Sequence, residues 1–115
     1  MADDITIFHN PACSTSRKAL DAIRDAGRTP RVVEYMKVGW TKPQLKALFA
    51  KMGVKPRDAL RTRNTQAEAL GLMTATDDAV IDAMVADPVL VERPIVETAK
   101  AARLCRPVET VMALL

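Results

Sequence analysis

Between Asp4 and Met36 the hydrophobic period of the chain changes twice, and that limits the available folds more than any single residue does. "DITIFHN" is a short β-branched and aromatic run that reads as a buried strand ending near His9. "CSTSRKALDAIRDAG" then sets Ala19, Leu20, Ile23 and Ala26 at helical spacing, with Gly27 as a stop. "RVVEYM" returns to a strand pattern. Strand, helix and strand over so short a span predict a βαβ unit with parallel strands.

The middle of the chain is helical. In "TKPQLKALFAKMG" Thr41 is an N-cap, Gln44 completes a capping box, and Leu45, Leu48, Phe49 and Met52 share one face before Gly53. "TDDAVIDAMVAD" repeats the pattern with Thr76 as cap, two acids at the positive end, and Val80, Ile81 and Met84 on one face. "PRDALRTRNTQAEALGL", between them, reads as one or two short helices. From Val89 the period shortens again: "VERPIVET" and "AARLC" read as strands of a hairpin turning at Ala99 and Lys100, with Pro94 at a strand start or edge. "PVETVMALL" predicts a last helix with Val108, Val111, Met112 and Leu115 on one face. The order β-α-β, helical block, β-β-α predicts an α/β domain with a central mixed four-stranded sheet and helices on both faces. That is a thioredoxin-like fold with a helical insertion over about residues 41–88, in one domain spanning residues 1–115.

Composition narrows the function classes. Aromatic residues are 3% of the chain, which argues against a base-stacking nucleic-acid module, and the net charge of +3 arises from 17 basic and 14 acidic residues with no basic block. No apolar run is long enough for a membrane span, and "MADDITIF" lacks the features of a signal peptide, so the expectation is a cytoplasmic protein. Two distant cysteines and one histidine supply too few ligands for a metal.

Cys13 is the residue with chemistry. It follows a strand and opens a helix, where unpaired backbone N–H groups and the helix dipole favour the thiolate. Ser14, Thr15 and Ser16 add hydroxyls, and His9 lies four residues upstream. Ser16 stands where a dithiol oxidoreductase carries its second cysteine, so a second thiol must come from elsewhere. Arg61, Arg93 and Arg106 stand out by context; an arginine fork suits a tetrahedral oxyanion, although spacing alone brings none of them together.

"HNPACSTSR", "ALRTRN", "LVERPIV" and "RLCRPVE" resemble, in order and separation, the glutaredoxin-dependent arsenate reductase family, from about Ile5 to Leu115. The resemblance implies a thioredoxin-like fold and a mechanism in which Cys13 attacks arsenate to form a thioarsenate. It implies that Arg61, Arg93 and Arg106 hold the oxyanion, that His9 helps to lower the thiol pKa, and that Ser16 bonds the thiolate. Pro94 matches the cis-proline position of thioredoxin-like folds, and Cys105 matches a cysteine that the chemistry does not need. Glutathione is implied as co-substrate and glutaredoxin as partner, with no bound cofactor. Two alternatives share the fold: a glutathione-dependent reductase of mixed disulfides, which would not need all three arginines, and a transcriptional regulator resembling the Spx group, whose usual Cys-x-x-Cys switch Ser16 argues against.

Overall fold

The expected βαβ unit opens the fold: β1 (Thr6–Phe8) runs parallel to β2 (Arg31–Val33), with α1 (Ser14–Asp25) as the crossover. The computed structural model describes residues 4–115. After α1 the chain turns at Gly27, whose φ of +79° lies in the left-handed region that glycine enters without a Cβ penalty. The strand expected over "RVVEYM" ends early. Tyr35 and Met36 belong to a single helical turn, α2 (Tyr35–Val38), which begins as the Lys37 and Val38 amides both donate to the Glu34 carbonyl.

The described residues divide into two compact units, one built from residues 4–38 with Arg93–Leu115 and the other from Gly39–Glu92. In the first, a hairpin of β3 (Ile95–Glu97) and β4 (Ala102–Leu104) completes a mixed sheet of order β2-β1-β3-β4. β3 runs antiparallel to both of its neighbours. Ile5, Ile7 and Val96 pack with Ala19, Leu20 and Ile23 of α1 and with Val111 in one apolar cluster. Burial of this stripe is the main force holding α1 on the sheet, since short helices gain most of their stability from packing. This is the thioredoxin-like arrangement.

The last helix differs from its expected form. Residues Val108–Leu114 wind as a 3-10 helix, so every third residue falls on one face. Val111 is fully buried, with Val108 and Leu114 packed beside it, whereas Met112, assigned to that face on an α-helical period, is 57% exposed.

The second unit contains α3 (Lys42–Met52) and α4 (Asp77–Ala86), with 3-10 turns at Pro56–Ala59, Leu72–Thr74 and Pro88–Leu90. The helical block expected over about 41–88 lies within it. The Thr41–Gln44 capping box is present, and Gly53 ends α3 at φ +71°. Thr76 caps α4 by accepting from the Ala79 amide. Lys42 bridges Asp78 and Asp82 at 3.8 and 3.0 Å, joining the two helices at the surface. Val91, expected in a strand, instead forms a single antiparallel bridge with Leu60.

Candidate functional site

Strand register explains how distant residues meet around Cys13. Phe8 at the end of β1 pairs with Ile95 at the start of β3, and Ile95 pairs with Leu104 at the end of β4. The segments just beyond these positions therefore emerge at one end of the sheet. They carry His9 to Cys13 after β1, Arg93 and Pro94 before β3, and Cys105 and Arg106 after β4. The Arg93–Pro94 and Arg106–Pro107 peptide bonds are both cis. The Cys105 amide donates to the Pro94 carbonyl at 2.8 Å, and Arg106 Nη1 donates to the Arg93 carbonyl at 2.9 Å, tying the two segments together.

Cys13 is the N-cap of α1, with extended backbone at φ −96° and ψ 120°. Its sulfur lies 3.7 Å from Arg106 Nη1. Burial pushes the thiol pKa upward, but the Ser16 backbone N–H, hydrogen bonding from Arg93 and Arg106, and the Arg93 charge outweigh it and bring it down to about 7. A thiol poised there is about half ionised at neutral pH, and the thiolate is the nucleophile. Arg93 adds a second feature: its Nε and Nη1 are buried and have no hydrogen-bond partner among the described residues. Buried donors are satisfied in nearly all folded proteins, so two orphans on one guanidinium beside a thiol are an exception that calls for an explanation.

The side chains of His9 and Ser16 are bonded to each other. Ser16 is fully buried, and its Oγ lies 2.6 Å from His9 Nδ1 while accepting from the Asn10 amide at 3.1 Å. The group that Ser16 offers to the sulfur is thus its backbone N–H, and the hydroxyl serves His9 and Asn10. Burial lowers the His9 pKa; the Glu34 charge opposes this, and Arg24 and Arg17 reinforce it. The imidazole is therefore mainly neutral at neutral pH.

Asn10 was not among the residues singled out in the sequence, yet it shapes the loop. Its Oδ1 accepts from the Ala12 amide and its carbonyl from the Cys13 amide, both at 3.0 Å. Asn followed by Pro, at the first two positions of a turn, is the signal that marks this role. Arg17 closes the same loop from α1, donating from Nη1 to the Pro11 carbonyl at 2.7 Å.

Arg61 belongs to the second unit. Its backbone N–H donates to the Leu90 carbonyl at 2.8 Å, and its Nη1 donates to Glu92 Oε1 at 2.6 Å. Cys105 is fully buried in the apolar cluster, where burial pushes its thiol up to about 11 against the opposing charge of Arg103. Among the described residues, no group of three or more His, Cys, Asp or Glu side chains could hold a metal ion. None of the helices among the described residues is long and apolar enough to cross a membrane.

The chain is similar to several proteins named arsenate reductase. The arsenate reductase ArsI2 of Synechocystis sp. is 55% identical over 113 residues, covering 96% of this chain and 81% of that protein. An arsenate reductase of Escherichia coli K12 is 45% identical over 114 residues, covering 97% of this chain and 81% of its own length. Among solved structures, the arsenate reductase from Vibrio cholerae superposes with a TM-score of 0.94 at 35% identity, over 100% of both chains. Residues 8–114, a span that takes in Cys13 and all three arginines, match the ArsC family, and the chain belongs to that family.

Proposed function

We propose that this protein is an arsenate reductase in which Cys13 is the nucleophile. The observation that carries the reading is the pairing of a thiol brought down to about 7 with two buried, unpartnered donors on Arg93. Arsenate is a tetrahedral oxyanion whose charge repels a thiolate; guanidinium groups offset that charge and orient arsenic for attack. The relatives named arsenate reductase support the choice of oxyanion.

In the first step an S–As bond forms and an As–O bond breaks, the departing oxygen leaving as water once protonated. Arg93 and Arg106 act on both the sulfur and the oxyanion, and Arg61, by resemblance to the family, is the third arginine on the oxyanion. His9 and Ser16 hold the Cys13 loop. Arsenic must then gain two electrons, and no second thiol lies at the Ser16 position to supply them. Glutathione attacks the arsenic of the adduct, forming a second As–S bond as another oxygen leaves as water. A glutaredoxin thiolate then attacks that glutathione sulfur; the As–S bond breaks with its electron pair left on arsenic, and a glutaredoxin–glutathione disulfide forms. Water then cleaves the remaining S–As bond, releasing arsenite and the Cys13 thiol. Two thiols are oxidised to one disulfide as arsenate becomes arsenite. Residues 1–115 work on this reading as one reductase domain, and a reducing compartment such as the cytoplasm suits its thiols.

The test is NADPH consumption by the purified protein with arsenate, glutathione, glutaredoxin and glutathione reductase, beside a Cys13→Ser variant. Arsenate-dependent turnover that disappears in the variant is the expected result. Absence of turnover above background, with Cys13 still alkylated readily at neutral pH, would overturn the choice of substrate and favour a mixed-disulfide reductase.

A further inference from the structure

Arg61 is held at its backbone and at the tip of its side chain, and the tip is held by a residue with no assigned role. At the near end, the Arg61 amide bonds the Leu90 carbonyl at 2.8 Å, and its carbonyl accepts from Thr65 Oγ1 at 2.7 Å. Leu60 next to it is bridged to Val91, and the Glu92 amide donates to the Ala59 carbonyl at 2.8 Å. Residues 59–61 and 90–92 are thereby laced together. At the far end, Nη1 meets Glu92 Oε1 at 2.6 Å, with the Arg61 side chain 11% and the Glu92 side chain 22% exposed.

We propose that Glu92 is a positioning residue for oxyanion binding: its carboxylate grips one corner of the Arg61 guanidinium and aims the remaining donors of the fork. This rests on the reading of Arg61 as an oxyanion-holding arginine. A long, flexible side chain loses much rotamer freedom when it is ordered. Where the ordering occurs on folding, it does not have to occur again when the anion binds. The laced backbone alone fixes only Cα, and several rotatable bonds separate that atom from the guanidinium. The contact runs from Nη1, and the rigid fork carries further N–H donors in the same plane. A carboxylate orienting the group that touches the ligand is the logic by which outer residues orient metal ligands.

The experiment compares Glu92→Ala, Glu92→Gln and Arg61→Ala with the native protein in arsenate kinetics, with thermal unfolding of each. Glu92→Ala raises the KM for arsenate by about tenfold and leaves kcat within about threefold, because binding and not the thiol is disturbed. Glu92→Gln keeps an acceptor oxygen for Nη1 and holds KM within about threefold of native. A structural loss alone would lower the unfolding temperature without this split and without rescue by Gln. An unchanged KM in Glu92→Ala, with Arg61→Ala impaired, overturns the proposal and leaves the oxyanion role of Arg61 intact. A KM that falls in either Glu92 variant also overturns it, since the carboxylate would then be competing with the anion. An Arg61→Ala variant with native KM removes the underlying reading itself.

Discussion

The two cysteines of this chain belong to the same compact unit and have opposite chemistry. Cys13 sits at a helix N-cap beside two guanidinium groups, and its thiol is brought down to about 7. Cys105 is surrounded by Ile5, Ile7, Val96 and Val111, and its thiol is pushed up to about 11. Burial acts upward on both. What separates them is whether donors and positive charge accompany the burial. Desolvation without compensation yields an inert packing residue, and desolvation among oriented donors yields a nucleophile.

Substitution tests the contrast directly. Cys13→Ser lowers arsenate turnover by about a thousandfold or more, as expected for loss of a nucleophile, and Cys105→Ser leaves it within about threefold. Comparable losses in both variants would erase the distinction. Arg106→Ala removes the donor 3.7 Å from the sulfur and raises the Cys13 pKa by about one unit, read from alkylation rate against pH. An unmoved profile would show that Ser16 and Arg93 suffice. Cys105→Ala costs about 1 kcal/mol in urea unfolding, the range for a small core truncation, with the midpoint lowered and the slope unchanged.

The pH dependence of stability gives the sharpest sign. Cys13 has a lowered folded pKa, so the native state binds fewer protons. Its contribution is fully present above the unfolded value of about 8.5 and is lost as pH falls through about 7. Cys105 has a raised folded pKa, so its contribution is present below about 8.5 and is lost as pH rises through about 11. Denaturation of Cys13→Ser relative to native protein, followed from pH 6 to 9, should show a stability difference that grows with pH. Cys105→Ser should show the opposite trend above pH 8.5. Parallel curves would mean that the two thiols share one environment.

Features governed by neighbours in sequence were the legible ones. The Thr41–Gln44 capping box, the Gly53 stop and the α1 stripe each depend on residues three or four apart, and each is present. The last helix misled because the apolar residues of "PVETVMALL" satisfy periods of 3.0 and 3.6 about equally, and packing of Val111 and Leu114 selects the tighter winding. Cys13 was legible from its local setting. Its meeting with Arg106, 93 positions away, required the register of three strands, and the Arg61–Glu92 pair spans 31 positions. Asn10 was visible as a turn residue, but its bonds to Ala12, Cys13 and Ser16 appear only when the loop closes.

The enclosed hydroxyl of Ser16 has an evolutionary consequence. Exchange of that serine for cysteine would create the two-thiol spacing of a self-resolving enzyme. Yet the hydroxyl is fully buried and bonded to His9 and Asn10, and a sulfur there would be a larger, weaker partner for both. The mutational step that would let the chain resolve its own adduct is thus the one that loosens the loop presenting Cys13. On the proposed mechanism, reliance on an outside thiol to resolve the adduct is, in that sense, built into the packing behind Cys13.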